Sequence, residues 1–134
     1  MTDIFVGRLM SSPVETVSPE ASAQRAARAM VENGIGSVIV TDEADHAVGI
    51  LTATDLVRLG AEGTSASEVP VSEYMSTELV TTTANASIEE AADAMIEEGF
   101  HHLPVVDETE GVIGIVTTTD LTAYLSRAET PSPS

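Results

Sequence analysis

Two seven-residue stretches decide the fold: Gly49-Ile-Leu-Thr-Ala-Thr-Asp55 and Gly114-Ile-Val-Thr-Thr-Thr-Asp120. Each begins with an apolar run that is typical of a short buried strand and continues directly into a predicted helix. Each places a threonine hydroxyl at the turn and a carboxylate three residues later. We therefore expect both stretches to form the same strand-to-helix junction.

The two stretches belong to an internal repeat with an offset of 65 residues. Aligned without a gap from Val6 to Leu56, the copies are identical at about 21 of 51 positions, far above chance. One supersecondary unit is therefore used twice. Because two copies are too few for a solenoid, we expect a closed pair in which each copy covers the apolar face of the other.

Each copy is predicted to contain elements in the order β-α-β-β-α. The strands are short and apolar and are expected at residues 14–17, 37–41 and 47–51 in the first copy and at 103–106 and 112–116 in the second. A short helix follows each hairpin, at about 54–59 and 119–125. Since a strand–helix–strand crossover makes two strands parallel, each copy should be an α+β unit with a mixed three-stranded sheet and helices on one face.

The longer helix of each copy has clear start and stop signals. Ser22 and Ser87 occupy N-cap positions, and Gly34 and Gly99 follow the last turn as left-handed C-caps. Apolar residues recur at i, i+3, i+4, i+7 and i+8, which predicts one apolar stripe on each helix. The stripes comprise Ala23, Ala26, Ala27, Met30 and Val31 in the first copy and Ile88, Ala91, Ala92, Met95 and Ile96 in the second.

The repeat also predicts the domain boundaries. The copies cover residues 6–60 and 71–127, and a connector rich in Gly, Ser, Ala and Thr joins them at 61–70. Residues 128–134 are polar and contain proline, so we expect a disordered tail.

The charge of the chain is unusual, with 22 acidic residues against 5 basic ones and a net charge of −17. Nucleic acids and anionic membranes require basic patches, so neither is expected as a partner. One interpretation is an acidic surface that only keeps the domain soluble. We favour a protein from a halophilic archaeon, because multi-molar salt shortens the screening length to about 3 Å or less and makes such self-repulsion tolerable.

Several classes of chemistry find no support in the sequence. Cysteine is absent, which excludes disulfides, thiolate chemistry and Cys-bound metals. The chain has no G-x-S-x-G motif, no Walker-type loop and no lysine, so we expect neither an enzyme nor a metal site. No apolar run approaches the ~20 residues of a membrane helix and no signal peptide is visible, which favours a cytoplasmic protein.

The doubled unit resembles the cystathionine β-synthase (CBS) domain pair. The resemblance rests on residues 49–55, 114–120 and Gly99-Phe-His-His-Leu-Pro-Val-Val-Asp107, and it covers about residues 6–126. It implies a compact module with two clefts between the repeats for adenosine-containing ligands such as AMP, ADP, ATP or S-adenosylmethionine. It also implies a homodimer and a regulatory role exerted on a partner protein. The alternative is a scaffold or dimerisation module that binds no ligand.

The Thr-x-Thr-Asp motif has two compatible interpretations. Thr52 with Asp55, and Thr117 with Asp120, fit a capping box that has Asp in place of Glu. The same helix N-terminus also suits a phosphate, because its N–H groups are unsatisfied and its dipole end is positive. The resemblance implies that each aspartate holds a ribose and that the two threonines before it lie near phosphate. These threonines are Thr117 and Thr119 in the second copy and Thr52 and Thr54 in the first.

His101, His102 and Arg8 are further candidates for phosphate contact. The resemblance places the histidines against phosphate; strand-edge residues and a metal pair are the alternatives, although neighbours on a strand face opposite sides. It brings the segment of Arg8 to the cleft of the second repeat; otherwise Arg8 is a surface ion-pair partner. The first copy has Gly36-Ser37 at the histidine positions. The Asp120 cleft should therefore hold phosphate better, and the Asp55 cleft should be empty or take an uncharged or adenosine-type ligand.

Two further expectations concern the adenine and the dimer. The resemblance implies that adenine lies against residues 14–16 and 38–40 or their second-copy equivalents. Exposed positions on the two longer helices carry opposite charges. They are Arg25 and Arg28 in the first copy and Glu90 and Asp93 in the second, and they form either solvated faces or the complementary surfaces of an antiparallel dimer.

Overall fold

The computed structural model describes residues 4–12 and 14–129 and confirms an α+β fold built from two similar halves. The helices are α1 (Val6–Leu9), α2 (Ala23–Asn33), α3 (Ala53–Ala61), α4 (Ile88–Glu98) and α5 (Thr118–Glu129). The strands are β1 (Thr16–Val17), β2 (Ser37–Thr41), β3 (Ala47–Thr52), β4 (His102–Asp107) and β5 (Gly111–Thr117). Helix α5 includes residues 128–129 of the predicted tail, and residues 130–134 lie outside the described residues. Among the described helices, none is long and apolar enough to cross a membrane.

The two halves differ in their sheets. In the first, β1 pairs in parallel with β2 and β2 pairs antiparallel with β3, which confirms the mixed three-stranded sheet. In the second, β4 and β5 form an antiparallel pair, and the expected third strand is reduced to one parallel bridge between Thr82 and Val105. Val17 of β1 is buried in the first core. Its counterpart Thr82 is polar and half-buried. A strand at this position would therefore bury less apolar surface and be less stable than β1.

The helix caps form as predicted. The Ser22 hydroxyl accepts from the Arg25 N–H at 3.1 Å, and Ser87 and Glu90 form a reciprocal capping box. Gly34 and Gly99 end α2 and α4 with φ of 63° and 75°, a left-handed conformation that suits glycine.

The predicted apolar stripes are wider than the buried faces. Val31 is 82% exposed and Ile96 is 80% exposed, at equivalent positions of α2 and α4. The helices contact their sheets mainly through alanine and methionine, with Ala26 and Met30 buried on α2. Val31 follows Met30 by one residue, which turns its side chain about 100° away from that contact.

The halves exchange their leading segments. Val6 is fully buried in the core of the second half, and its N–H bonds the Ala86 carbonyl at 2.8 Å. Val71 is fully buried in the core of the first half, and its N–H bonds the Ala21 carbonyl at 2.7 Å. The core of each half therefore contains a valine from the leading segment of the other half.

Each exchanged segment then runs along the edge of the partner sheet. Ser11 exchanges two backbone hydrogen bonds with Ile115 of β5, and Ser76 does the same with Ile50 of β3. Between the sheets, Ile50 and Ile115 join Ile39 and Val112 in a buried cluster. This cluster and the exchanged segments fasten the halves together.

Methionines of the exchanged segments cross the strands at glycines. A Cβ atom on Gly49 would lie 2.5 Å from the Met75 Sδ and 2.9 Å from its Cγ. A Cβ atom on Gly114 would lie 2.7 Å from the Met10 Sδ and 2.9 Å from the Ser11 carbonyl oxygen. The first residue of the repeated motif is glycine because another segment occupies the space of a side chain.

Replacing Gly49 with Ala should destabilise the fold by about 1–3 kcal/mol, because the added methyl group overpacks a filled site. In a Met75→Ala background most of this penalty should disappear, since the flexible methionine supplies the two nearest contacts. Gly114→Ala should keep more of its penalty in a Met10→Ala background, because the Ser11 carbonyl remains. Denaturant unfolding of both double-mutant cycles measures the two coupling energies. Equal couplings would contradict this account.

Candidate functional site

A cleft of about 690 Å³ opens between the two halves beside the start of α5. One wall is formed by the segment before β1 and the loop from α2 to β2, and the other by the start of β4, the end of β5 and the first turn of α5. Six of the predicted site residues line it: Gly36, His101, His102, Thr117, Thr119 and Asp120. Residues far apart in the sequence thus meet at one site.

Asp120 caps α5 with only one of its carboxylate oxygens. Its Oδ2 accepts from the Thr117 N–H at 2.8 Å and from the Thr117 hydroxyl at 3.1 Å. The same hydroxyl oxygen accepts from the Asp120 N–H at 3.2 Å. The other carboxylate oxygen, Oδ1, has no hydrogen-bond partner among residues 4–12 and 14–126. It remains available to a ligand that donates hydrogen bonds.

The two threonines of this motif have different roles. The Thr117 hydroxyl gives its proton to Asp120, so it cannot donate to a phosphate at the same time. Thr119 is exposed, and its hydroxyl has no partner in the described part of the chain. Thr117 therefore orients the carboxylate, and Thr119 offers a free donor.

The histidine pair lies beside the start of α5. The His101 carbonyl accepts from the Thr118 N–H at 3.0 Å, which fixes this loop against the helix. Burial lowers the pKa of His102, the nearby His101 lowers it further, and Asp120 raises it. His102 is thus mainly neutral at pH 7. Among the described residues, no group of three or more histidine and acidic side chains could hold a metal ion.

The first copy of the motif forms the same cap at the start of α3. The Asp55 Oδ2 accepts from the Thr52 N–H at 2.8 Å and from the Thr52 hydroxyl at 3.1 Å. Thr54 is exposed on the first turn of α3. Unlike Asp120, Asp55 also has an ion pair, because its Oδ1 lies 3.4 Å from the Arg58 Nη2. These residues do not line the Asp120 cleft.

The structure corrects the placement of Gly36. Alignment of the repeats assigns it to the Asp55 motif, yet it lines the Asp120 cleft. Its carbonyl accepts from the Ala53 N–H at 3.0 Å at the start of α3, so it lies between the two motifs. Alignment of the two repeats does not predict this position of Gly36, because the walls of the cleft come from both halves.

The expected positions of Arg8 and the adenine-binding residues are also revised. Arg8 is exposed on α1 and does not line the cleft, since the exchanged segment buries Val6. Residues 38–40 are buried in the sheet and do not line it either. Val14 and Glu15 do line it, as expected, and Ile115 adds apolar surface.

Several residues of the cleft are not marked by any motif in the sequence, among them Ser11, Asn33 and Ile35. Asn33 and Ile35 flank the Gly34 cap, and Ser11 lies in the exchanged segment. A cavity of about 750 Å³ lies around the hairpin turns and includes Thr81, Asp107 and Glu108. Thr81 is the second-copy equivalent of Thr16, and neither Asp120 nor Asp55 lines this cavity.

Comparisons with known proteins identify the family of the two halves. The CBS domain model matches residues 6–62 and 71–127. The uncharacterised protein MK0525 of Methanopyrus kandleri is 36% identical over 122 residues, which are 90% of this chain and 62% of that protein. The CBS domain-containing protein YhcV of Bacillus subtilis is 38% identical over 113 residues, covering 84% of this chain and 79% of YhcV.

A solved structure has the same fold. The CBS domain pair of protein MJ0100, in complex with 5′-methylthioadenosine and S-adenosyl-L-methionine, matches with a TM-score of 0.82 and 26% identity. The match covers 90% of this chain and 98% of that one. Two tandem matches to one domain, spanning both halves of the fold, show that this chain belongs to the CBS domain family.

Proposed function

We propose that this chain is a regulatory module that binds an adenosine-containing ligand in the Asp120 cleft and signals its bound state to a partner protein. The observation that carries the proposal is the free Oδ1 of a carboxylate that its own helix cap holds in place. Such an oxygen can accept hydrogen bonds from ribose hydroxyls. The cleft volume is also in the range of small-molecule sites.

The comparisons support the class of ligand. The CBS domain pair of MJ0100 carries two adenosine compounds, and it shares the fold over most of this chain. In this chain, Asp120 would hold the ribose, Val14 and Ile115 would contact the adenine, and Thr119 would donate to the remainder of the ligand. AMP, ADP, ATP and S-adenosylmethionine all fit this general scheme.

The charges that line the cleft favour S-adenosylmethionine among these candidates. Glu15 and Asp120 are acidic, and His102 is mainly neutral at pH 7. The cleft lining contains no arginine or lysine from the described residues. A sulfonium ion and an ammonium group suit this field, whereas a triphosphate is repelled by it.

The bound ligand would contact both halves of the molecule. Val14 belongs to the first half, and Thr119 and Asp120 belong to the second. A ligand that touches both walls favours the inter-repeat arrangement to which it binds best, and a partner protein can read that arrangement. No catalytic step is required.

Asp120→Ala should abolish ligand-induced stabilisation. For the wild type, a ligand present at 100 times its Kd should stabilise the fold by about 2.7 kcal/mol. Thermal unfolding in multi-molar KCl with AMP, ADP, ATP and S-adenosylmethionine would measure this effect. The variant should also lose about 0.5–2 kcal/mol of its own stability with the cap.

Ser87→Ala is the matched control, because it removes the cap of α4 without touching the cleft. It should lower stability similarly and keep the ligand effect. An unchanged ligand effect in Asp120→Ala would refute the site. Flat curves for the wild type with all four ligands would favour the scaffold alternative.

The affinity for AMP should rise by up to about tenfold as the pH falls from 7.5 to 5.5. The pKa of His102 lies below its ordinary value, so the side chain gains its positive charge only at the acidic end of this range. Glu15, His101 and Asp120 are the other ionisable residues that line the cleft. A new cation in a partly screened site should strengthen phosphate binding to this extent.

Calorimetric titration of wild type and His102→Gln at each pH separates this effect from the titration of AMP itself. S-Adenosylmethionine should show the opposite trend with the wild type. The same pH dependence in both proteins would show that His102 is not involved.

We also propose a homodimer formed through α2 and α4. Val31 and Ile96 are the large apolar side chains exposed there, at equivalent positions of the two halves. Arg25 and Arg28 are exposed on α2, and Glu90 and Asp93 lie at the corresponding positions of α4. A second copy in antiparallel orientation would place opposite charges together and cover both apolar residues.

The double variant Val31→Glu/Ile96→Glu should be monomeric, because it places four carboxylates in the apolar part of the dimer contact. Light scattering coupled to gel filtration measures the mass. Ala44→Glu/Thr109→Glu is the matched control, since it adds the same charge at equivalent exposed positions of the two hairpin turns. A monomeric wild type, or a dimeric Val31→Glu/Ile96→Glu variant, would contradict this interface.

A further inference from the structure

We propose that Arg58 closes the first copy of the motif to ligand, so that each chain binds one adenosine-type ligand, at Asp120. This inference rests on the proposed function and adds to it a residue that selects between the two motifs. The selection depends on the side chain three residues after the aspartate, which is Arg58 in the first half and Ala123 in the second.

The Arg58 guanidinium occupies the carboxylate oxygen that a ribose would need. Its Nη2 lies 3.4 Å from the Asp55 Oδ1, while the Asp55 Oδ2 is used by Thr52 in the cap. Both oxygens of Asp55 are therefore engaged, and its side chain is only 12% exposed. The Asp120 Oδ1 has no such partner in the described structure, because Ala123 has no group that could reach it.

Other contacts hold Arg58 in this position. The same Nη2 donates to the Tyr74 carbonyl at 3.2 Å, and the guanidinium lies over the Tyr74 ring, 5.7 Å from its centroid. The Tyr74 hydroxyl in turn donates to Glu62 at 2.6 Å. The counterpart of Tyr74 in the other half is Leu9, which offers no ring or hydroxyl. A ribose would have to displace an arginine that is fixed by the backbone, the ring and the carboxylate.

A contribution to stability does not explain this arrangement. The Arg58 side chain is 52% exposed, and ion pairs of this kind contribute little to folding. The cap of α3 is made by Thr52 and Asp55 without it. Arg58 can therefore be removed without loss of the helix start, while the Asp55 Oδ1 becomes free. Arg58 is thus a positioning residue that acts through Asp55.

Isothermal titration with AMP and with S-adenosylmethionine tests the inference. The wild type should bind one ligand per chain. Arg58→Ala should bind two, and the added site should disappear in Arg58→Ala/Asp55→Ala. Ala123→Arg should weaken binding at Asp120 by at least tenfold, since it installs the same i, i+3 pair beside the other aspartate.

The exchange variant Arg58→Ala/Ala123→Arg provides the sharpest comparison, because its net charge equals that of the wild type. It should bind one ligand whose affinity depends on Asp55 and no longer on Asp120. Circular dichroism would verify that each variant is folded, and Ala123→Arg tests the inference independently of Arg58→Ala.

Four outcomes have distinct meanings. Two ligands per wild-type chain would overturn the inference and leave the proposed function intact. One ligand per chain in Arg58→Ala, with unchanged affinity, would also overturn it. Lower affinity in Arg58→Ala would identify Arg58 as a ligand contact instead, which contradicts its role as a closing group. No binding of either ligand to the folded wild type would overturn the proposed function and the inference together.

Discussion

The reciprocal exchange of leading segments is the constraint on which the rest of the structure depends. Val6 completes the core of the second half and Val71 completes that of the first, so neither half buries its own core alone. The methionines that follow these residues cross Gly49 and Gly114, where a side chain would prevent the approach. Because the cleft takes its walls from both halves, its shape depends on this exchange.

The Asp120 motif shows how one short sequence can cap a helix and still leave polar groups free for a ligand. Capping uses one carboxylate oxygen and the Thr117 hydroxyl, and it leaves the other oxygen and the Thr119 hydroxyl free. The cap thereby fixes the direction of the carboxylate, and such pre-organisation would lower the entropy lost when the proposed ligand binds. The capping and ligand-binding interpretations of the motif are therefore complementary.

Local patterns predicted the elements well because their causes are local. The caps at Ser22 and Ser87, the glycine stops and the hairpins depend on neighbours in the sequence, as does the junction at Asp120. The apolar periodicity of α2 and α4 does not predict that Val31 and Ile96 are exposed. Periodicity gives the direction of the apolar face but not the width of the part that a sheet covers.

The positions of Arg8 and Gly36 relative to the cleft could not be predicted from segment order or repeat alignment. The reason is that the cleft combines loops from both halves. The contacts of Arg58 with Tyr74 could not be predicted either, since Tyr74 reaches α3 from the exchanged segment. Contacts made across the exchange cannot be inferred from either copy alone.

Under the proposed function, a single ligand would be sufficient for the module to report on the relation between its halves. Exact internal symmetry would give two equivalent motifs, but the residues beside the motifs differ between the copies. Arg58 corresponds to Ala123, and Gly36 corresponds to His101. The Asp120 cleft still has Gly36 and Val14 from one half facing His101 and Thr119 from the other. A ligand bound there would couple directly to the inter-repeat arrangement, because it would contact both sides of that interface.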